Sequence, residues 1–496
     1  MSEHLPTNIV PLSSITRFDV SKPRVSGCSA KSNGKATSCG SSAGPEDLPE
    51  EIWAKVQDHP CYSEDAHHYF ARMHVAVAPA CNIQCHYCNR KYDCSNESRP
   101  GVVSEKLSAE EAARKVMAVA AEVPQLSVVG VAGPGDALAN APKTFRTFEL
   151  IHEALPHIKL CLSTNGLALP DHVETIAAMG IDHVTITINM VDPEIGAEIY
   201  PWIFFRHKRW EGLDAARILH ERQMEGLEAL TAKGILVKVN SVLIPGINDE
   251  HLIEVNKAVR ARGAFLHNVM PLISDPAFGT HFGLTGQRGP TPAELRKVQD
   301  SLGGDAKLMR HCRQCRADAV GMLGEDRGAE FTLEKLTEAK PYDPKKREMY
   351  LSVVERERAD RQKAKEMASA PEKIAETPLL VAIATKGGGR INQHFGHATE
   401  FQIFEVTSAG AKFISHRRTD KYCVGGTDDG DAMTTTLAAL EGVAAVLCAK
   451  IGDKPKQRLA EAGIIASDDY AFDYIEASAI TWYAGHKGAA AASASA

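Results

Sequence analysis

Short β-branched runs alternate with longer helix-like stretches from His74 to Ile273, and this alternation is the feature that most constrains the fold. The runs cover 74–79, 126–133, 158–165, 183–189, 235–244 and 264–273. The stretches between them, at 108–123, 142–155, 170–179, 212–233 and 249–262, have helical spacing, and Ser108 is a candidate cap for the first. Repeated strand–helix units predict a parallel sheet with right-handed crossovers, either a partial barrel or a doubly wound sheet. Ligands of such sheets bind at the carboxyl ends of the strands.

A second, smaller apolar pattern follows a charged segment. Residues 341–376 carry many charges of both signs, which predicts a solvated helix and then a linker. Further on, apolar runs at 379–385, 400–406, 411–418 and 443–450 are interleaved with helical stretches at 432–442 and 454–463. We therefore expect a main domain over 49–340, a small α/β domain over 377–488 and a flexible tail at 489–496.

Composition argues against several classes of protein. With 496 residues, 24% of them charged, and a net charge of -7, the chain has no basic excess that would bind nucleic acid or an anionic membrane in bulk. No apolar run reaches the roughly 18 residues of a membrane helix, and the start lacks the regions of a secretion signal, so we expect a cytoplasmic protein. Ser and Gly dominate 26–44, which predicts a disordered arm over 1–48 with Cys28 and Cys39 as surface thiols.

The cysteines give the first indication of chemistry. Twelve cysteines in a cytoplasmic chain are not expected to form disulfides, because thiols are kept reduced there. Cys81, Cys85 and Cys88 form C-x3-C-x2-C directly after the first predicted strand. Three thiolates on one loop can hold three irons of a [4Fe–4S] cluster and leave the fourth iron open. A zinc site would favour two paired arms of ligands, so the spacing favours the cluster.

This motif, with Tyr87 before its last cysteine, resembles that of the radical S-adenosylmethionine (SAM) superfamily. The resemblance implies a partial (βα)6 barrel in which SAM chelates the open iron and is cleaved to a 5′-deoxyadenosyl radical. It also implies further SAM contacts, from the stretch AGPGD and from two strand ends: Gly133, Gly135, Asp136, Thr187 and Val239. The alternatives are a simple turn at 132–136 and sheet packing for the two strand residues.

More cysteines remain than one cluster needs. Cys61, Cys94 and Cys161 lie in the main domain, and Cys312 and Cys315 form C-x2-C between arginines at 310, 313 and 316. Two thiolates at this spacing can bind one cluster while the guanidinium groups offset its negative charge. We therefore expect further iron–sulfur clusters, with buried core thiols as the alternative for Cys94 and Cys161.

Several segments together resemble the radical SAM proteins of nitrogenase cofactor biosynthesis along essentially the whole chain: HPCY at 59–62, the cysteine loop through 102, VAGPGDAL at 131–138, STNGL at 163–167 and HCRQCRADA at 311–319. The resemblance implies an enzyme that fuses two auxiliary [4Fe–4S] clusters, inserts a SAM-derived carbide and adds one sulfur, giving the eight-iron precursor of the iron–molybdenum cofactor. One auxiliary cluster would be held by Cys61, His74, Cys94 and Cys161, and the other by Cys312 and Cys315. Glu97 and His59 are candidates for exchangeable ligands. The remaining histidines, including His67 and His68, are expected to be surface groups.

The segment RINQHFGHATEFQIFEV at 390–406 resembles the cofactor-binding domain of small nitrogenase cofactor carriers, an α/β fold of ribonuclease-H type. His394, His397 and Cys423 are then candidate ligands of an iron–sulfur product, and a loop with exposed histidines is the alternative. The resemblance implies protein partners: cluster donors, cofactor carriers, the cofactor assembly scaffold and a reductant such as a ferredoxin, with no nucleic acid and no membrane.

Two other functions stay open at this point. A non-catalytic cluster scaffold or carrier would explain the cysteines and the second domain. A radical SAM enzyme with auxiliary clusters that acts on an organic substrate would explain the first motif, but it leaves the carrier-like domain unexplained.

Overall fold

The computed structural model describes residues 48–494 except 97, 303–307, 310, 313, 339–340, 371–375, 420–422, 425–426 and 429. The predicted arm, apart from its last residue, lies outside the described residues. The strands are β1 (Ala71–His74), β2 (Ile83–Gln84), β3 (Leu126–Val131), β4 (Lys159–Thr164), β5 (His183–Thr187), β6 (Trp202–Phe205), β7 (Lys208–Glu211), β8 (Leu236–Leu243), β9 (Leu266–Pro271), β10 (Val320–Gly321), β11 (Leu379–Ile383), β12 (Glu400–Thr407), β13 (Gly410–Arg418), β14 (Cys423–Val424), β15 (Thr427–Asp428), β16 (Ala445–Leu447) and β17 (Ile465–Ser467).

The α-helices alternate with these strands. They are α1 (Glu50–Val56), α2 (Ala109–Glu122), α3 (Ala141–Ala154), α4 (Val173–Ala178), α5 (Pro193–Ile199), α6 (Gly212–Ala232), α7 (Leu252–Ala261), α8 (His281–Thr285), α9 (Pro292–Ser301), α10 (Pro344–Ala368), α11 (Gly430–Ala439), α12 (Asp453–Glu461) and α13 (Ile475–Ala494). Ser108 caps α2 as predicted, because its hydroxyl accepts from the Glu111 amide while the Glu111 carboxylate accepts from the Ser108 amide. Among the described residues, no helix is both long and apolar enough to cross a bilayer.

The main sheet has the order β10-β1-β3-β4-β5-β8-β9. Its six strands from β1 to β9 are parallel and follow the chain in one direction, which confirms the partial barrel over a doubly wound sheet. The first strand differs from its prediction, since it ends at His74 instead of starting there. Beyond His74 the Val75 amide still donates to the Gly130 carbonyl of β3, but the Val77 amide donates back to the Val75 carbonyl, which interrupts the regular strand pairing.

The two faces of the barrel sheet carry different residues. On β4, Leu160 and Leu162 pack in the apolar core between sheet and helices, while Cys161 points to the concave face. On β5, Val184 and Ile186 enter the same core, so His183, Thr185 and Thr187 point inward. The hydrophobic core therefore lies outside the curled sheet, and its inside is polar enough to bind charged groups.

The C-terminal part contains a five-stranded sheet of order β13-β12-β11-β16-β17. Its first three strands are antiparallel and the last two parallel, a mixed α/β arrangement as expected. Helix α13 continues to Ala494, through most of the stretch expected to be a flexible tail. The charged helix α10 packs against α13 and so connects the two parts of the chain.

Candidate cluster sites of the barrel

The loop with Cys81, Cys85 and Cys88 is held by local hydrogen bonds. The side-chain amide of Gln84 donates to the carbonyl oxygens of Cys85 and Cys88, at 2.9 and 2.8 Å, and the Cys88 amide donates to the Cys85 carbonyl. Strand β2, inside this loop, pairs with β6 of the β6–β7 hairpin, with Ile83 opposite Ile203. The alternation pattern did not predict this hairpin. The loop therefore presents its three thiols from a braced turn.

The electrostatics of these thiols fit an iron–sulfur cluster. Burial, and then the neighbouring thiols, hold the pKa of Cys85 well above its ordinary value, and burial raises the pKa of Cys88 to about 11. Burial also raises the pKa of Cys81. Three thiolates at such a place need positive charge close by, and the irons of a cluster provide it.

The stretch AGPGD braces the entrance to this loop. The Gly135 amide donates to the Ala78 carbonyl at 2.6 Å, and the Asp136 amide donates to the Ala80 carbonyl at 2.8 Å. A Cβ on Gly135 would lie 2.1 Å from the Ala80 carbonyl oxygen, so only glycine fits there. Gly133, at the start of the same turn, lies against Cys94, since a Cβ placed on it would be 3.8 Å from the Cys94 Cβ.

The Asp136 carboxylate is buried and has several donors. It accepts from the amides of Leu138 at 2.9 Å and Asn165 at 2.6 Å, and from the Thr164 hydroxyl. Burial raises its pKa, while these donors oppose the rise. Asp136 therefore joins the AGPGD turn to the end of β4, and its contact with SAM stays a prediction.

Tyr87 is also buried and fixed. Its hydroxyl donates to the Asn96 side-chain oxygen at 2.5 Å and accepts from the Asn189 amide at 2.7 Å. Asn240 donates to the Asn96 carbonyl at 3.0 Å, so the segment after the cysteine loop lies across the strand ends of β5 and β8. Thr187 is buried on the concave face, as its proposed SAM contact requires.

Val239 does not face the barrel interior. Its side chain packs with Val237 in the core between sheet and helices, because residues alternate along β8. The side chain of Val239 therefore fits the alternative of sheet packing, and a ribose or adenine contact by this residue stays a prediction. Asn240, which lies opposite Thr187 in register, is the polar inward-facing residue at this level.

One row of residues crosses four strands on the concave face. His74 on β1 lies opposite Gly130 on β3, Gly130 opposite Cys161 on β4, and Cys161 opposite His183 on β5. A Cβ on Gly130 would lie 3.2 Å from the His74 ring, so the absence of a side chain lets this ring lie over Gly130. The row thus places the two predicted ligands His74 and Cys161 on the strands to either side of one glycine.

Cys61 lies beside this row, whereas Cys94 lies at the three-cysteine loop. Cys61 packs with Tyr62 against Leu236, which is the next residue of the row after His183. Cys94 lies beside the three-cysteine loop, whose thiols contribute to raising its pKa after burial does. Among the residues that the structure describes, no group of three or more His, Cys, Asp or Glu side chains surrounds a position for a single metal ion.

Buried polar atoms at the floor of the barrel fit an anionic or coordinating group. Nε2 of His59, both ring nitrogens of His183 and the Thr185 hydroxyl have no hydrogen-bond partner among the described residues. The rings of His59 and His183 lie 4.3 Å apart, and burial, followed by the charge of Lys159 among others, holds both pKa values well below the ordinary one. Buried polar atoms nearly always have partners, so the ring nitrogens of His59 and His183 are candidate ligands of a bound group, while the two rings themselves are in contact.

The expectation that the remaining histidines are surface groups is wrong for five of them. His67, His68, His183, His267 and His311 are all buried. His183 and His267 lie in predicted strands, whereas the other three lie outside the predicted strands and helices, and only the tertiary fold brings His67 within 5.2 Å of His311.

The second cysteine pair has a counter-charge that the sequence did not reveal. The Cys315 thiol accepts from Nε and Nη2 of Arg72, at 3.1 and 3.0 Å, and Arg72 is buried on β1. Cys312 packs beside the apolar cluster that contains Cys85. Of the arginines flanking the pair in sequence, only Arg316 lies within the described residues. Glu97 lies outside them, and so does the side chain of Cys423.

His394 and His397 lie at the ends of a short 3-10 helix before β12. Their rings are 4.8 Å apart, and Nδ1 of His394 accepts from the Gly396 amide at 3.0 Å. Burial and the neighbouring His397 lower the pKa of His394. The two imidazoles are close enough to act together on one ligand.

Comparison with known proteins agrees with this geometry. Residues 75–259 match the Radical SAM superfamily, and residues 377–485 match the family Dinitrogenase iron-molybdenum cofactor. The chain is 60% identical to the FeMo cofactor biosynthesis protein NifB of Herbaspirillum seropedicae, in a match that covers 96% of this chain and 93% of that protein. It is 65% identical to NifB of Rhodobacter capsulatus, over 87% of this chain and 96% of that protein. It is 56% identical to NifB of Azotobacter vinelandii, over 92% of this chain and 93% of that protein.

Solved structures that match part of the chain include Streptococcus suis SuiB bound to its precursor peptide SuiA, with 15% identity and a TM-score of 0.34 over 50% of this chain and 48% of that one. Another is methylornithine synthase PylB, with 13% identity and a TM-score of 0.33 over 53% of this chain and 71% of that one. The sequence identity to the relatives decides the assignment. The chain belongs to the NifB family of FeMo cofactor biosynthesis proteins.

Proposed function

We propose that this chain is the radical SAM enzyme that builds the eight-iron precursor of the FeMo cofactor from two [4Fe–4S] clusters, a SAM-derived carbide and one further sulfur. One observation supports the proposal: residues of one strand, β1, reach both of the predicted auxiliary ligand groups. Arg72, which holds Cys315, and His74, which faces Cys161 across Gly130, are two residues apart on the same face of β1. At about 3.3 Å per residue, that places the two positions roughly 7 Å apart, close enough for two bound clusters to meet.

The residues of the chain have distinct roles in this proposal. Cys81, Cys85 and Cys88 hold the cluster to which SAM binds, and this cofactor supplies the electron and the 5′-deoxyadenosyl radical. The Gly135 and Asp136 contacts keep the loop over the strand ends. Asn240 and Thr187 face the space in which SAM would extend.

Charge on the concave face supports binding of anionic clusters. Arg72 and Lys238 are inward-facing cations on β1 and β8, and Lys159 on β4 is a third, whose charge is balanced by its ion pair with Asp58. Their positive charge favours thiolate-ligated clusters, and the mixed ligation by Cys161, His74 and the imidazoles of the floor would let a cluster leave more readily than four thiolates would.

The test is product analysis with the full-length protein. The chain is reconstituted with iron and sulfide without oxygen, and incubated with SAM and dithionite. We expect both 5′-deoxyadenosine and S-adenosylhomocysteine. The Cys81→Ala variant should form neither, and Cys448→Ala, which removes a buried thiol of the C-terminal sheet, should form both.

Each alternative has its own outcome. A fully reconstituted wild-type protein that forms neither product would be a carrier, the function favoured by the match of 377–485 to a cofactor family. Deoxyadenosine without S-adenosylhomocysteine and without an eight-iron cluster would indicate an organic substrate.

We further propose that the chain acts in the cytoplasm, with 49–340 and 377–488 as its folding units. Its partners would be cluster donors, a reductant such as a ferredoxin, cofactor carriers and the assembly scaffold. The carrier-like second domain supports the last two.

A further inference from the structure

The β6–β7 hairpin is joined to the three-cysteine loop at its root. Ile203 of β6 lies opposite Ile83, inside the loop, and the Phe204 amide donates to the Asn82 carbonyl at 2.7 Å. Ile203 is buried in the apolar cluster that contains Cys85. Bracing of the loop therefore needs only the backbone and the buried residue at the root of the hairpin.

The outer part of the hairpin is exposed and cationic. The turn residues Arg206 and His207, and Lys208 after them, are all exposed. Arg209 is paired with Glu211 at 2.8 Å. Among the residues that the structure describes, Arg206 and Lys208 form no ion pair, so both charges are available to a partner. The chain as a whole has a net charge of -7, so this end of the hairpin opposes the overall sign.

The turn holds these side chains at a conformational cost. Arg206 and His207 have φ angles of 51° and 59°. Two-residue hairpin turns with positive φ at both positions usually contain asparagine and glycine, which adopt this backbone more easily. Residues kept in disfavoured backbone conformations cluster at functional sites. The choice of an arginine and a histidine for this turn thus points to a role for their side chains.

Aromatic side chains complete the exposed part of the hairpin. Phe204 is 50% exposed. The Lys208 ammonium lies 3.8 Å from the centroid of the Trp210 ring, and the Arg209 guanidinium carbon lies 5.0 Å from that of Trp202. Cation–π contacts of this kind hold flexible cations against rigid rings. Aromatic and arginine side chains are enriched at the centres of protein interfaces, so this surface fits a protein partner.

This exposed surface lies close to the cysteine loop. The turn begins three residues beyond Ile203, which is roughly 10 Å along the strand at about 3.3 Å per residue. Lys91, exposed and three residues after Cys88, adds a further cation from the loop itself. An electron delivered at the hairpin has only the hairpin and the loop to cross before it reaches the proposed SAM cluster.

We infer that Phe204, Arg206, His207 and Lys208, the hairpin surface, dock the electron donor of the SAM cluster, a small acidic iron–sulfur protein that carries one electron. In the encounter the donor's reduced centre loses one electron and the SAM cluster gains it, and no proton or group is transferred. The inference rests on the proposed function and deepens it, because it assigns the donor a surface.

Charge and size both favour such a donor. An acidic protein is repelled by a chain of net charge -7 except where cations are clustered, so the hairpin surface orients the donor toward the cysteine loop. Electron-transfer encounters are among the smallest protein interfaces, and a single exposed hairpin matches that size.

The test compares two reductants on the full-length protein reconstituted with iron and sulfide. One is a reduced acidic 2[4Fe–4S] ferredoxin, and the other is dithionite, which is small and needs no docking surface. Arg206→Gln/Lys208→Gln removes the two unpaired charges and lies outside every proposed cluster-ligand and SAM-contact set. The charge-matched control is Lys412→Gln/Arg458→Gln, which changes one exposed lysine and one exposed arginine of the C-terminal domain.

We expect the KM for ferredoxin in deoxyadenosine formation to rise about three- to tenfold in the hairpin variant, with kcat unchanged and the control like wild type. With dithionite all three proteins should form deoxyadenosine equally. The difference in KM should shrink as salt rises from about 0.05 to 0.5 M, because salt screens the charges.

Binding is measured separately from activity. Oxidised ferredoxin is titrated calorimetrically into each protein without SAM, and its Kd should rise by the same factor as the KM. Phe204→Ser, which leaves the charges in place, should raise the Kd without changing its salt dependence. Arg206→Lys/Lys208→Arg keeps both charges and should bind like wild type, which separates loss of charge from a folding defect.

Equal KM and equal Kd in the hairpin variant and the control would overturn the inference. Equal losses in both variants would also overturn it, since general charge would then suffice. A hairpin variant that lost activity with dithionite as well would show that the hairpin acts only as a brace of the loop, which again overturns docking. Failure of the wild-type protein with dithionite would instead refute the proposed function.

Discussion

Replacing Gly135 with alanine tests whether the AGPGD turn sets the position of the cysteine loop. The added Cβ would lie 2.1 Å from the Ala80 carbonyl oxygen, and the nearest atoms are backbone, so rotation of a side chain cannot relieve the clash. An ordinary carbon–oxygen contact of about 3.3 Å requires the two segments to separate by roughly 1 Å. Ala80 immediately precedes Cys81, so the first ligand of the cluster moves with it.

The cost follows from the same contacts. Overpacking of this kind costs about 1–3 kcal/mol, and the separation weakens two hydrogen bonds worth about 0.5–1.5 kcal/mol each. We therefore expect the free energy of unfolding to fall by about 2–5 kcal/mol. A displacement of about 1 Å at a reacting centre lowers rates on the order of 100-fold, so deoxyadenosine formation should fall by a similar factor.

Equilibrium urea unfolding and deoxyadenosine yield per reconstituted cluster measure the two effects. Gly485→Ala is the control, because a Cβ there meets nothing within 4 Å and the residue lies in helix α13. It should keep full activity. A Gly135→Ala protein with wild-type unfolding midpoint and wild-type yield would refute the argument that this turn braces the loop.

Three further predictions concern other parts of the molecule. The double change Cys312→Ala/Cys315→Ala should lower iron by about four per chain while SAM is still cleaved, as iron analysis beside product analysis would show; unchanged iron would make the pair structural. His183→Phe should make the auxiliary cluster beside Cys161 labile and change its electron paramagnetic resonance signal, with the SAM cluster unaffected, whereas an unchanged signal would place that cluster elsewhere. Burial, followed by the charge of the nearby Glu476, raises the pKa of Glu64 to about 8. Protonation of Glu64 therefore stabilises the fold fully below the unfolded-state pKa near 4.5, and this stabilisation is lost as pH rises toward 8. Thermal unfolding of Glu64→Gln should therefore depend less on pH between 5 and 8, and an unchanged pH profile would contradict this.

Much of the barrel follows from local sequence. Apolar periodicity placed five of the six parallel strands within a few residues, because each of those strands is buried on its helix-facing side and reads as a β-branched run. The cysteine loop was predictable for a different reason, since all three ligands lie within eight residues and their spacing alone limits what they can bind.

The early start of β1 was not predictable from the same pattern. Residues 75–79 are as apolar as a strand, but the bond from the Val77 amide to the Val75 carbonyl interrupts the strand, and Ala78 contacts the AGPGD turn, which lies more than fifty residues further along the chain. The β6–β7 hairpin was not predictable because its turn residues, Arg206 and His207, have positive φ without the glycine or asparagine that usually marks a tight hairpin turn.

The cluster sites divide in the same way between sequence and tertiary structure. Cysteine type and number indicated surplus ligands, but the row of His74, Gly130, Cys161 and His183 depends on strand register, which no local pattern encodes. Likewise the arginines next to Cys315 in sequence were the expected counter-charges, whereas the guanidinium that reaches its thiol is that of Arg72. Sequence by itself determined which chemistry the chain can support, because ligand type is a property of single residues. Only the tertiary structure decided which ligands share a cavity, because that depends on contacts between residues far apart in the chain.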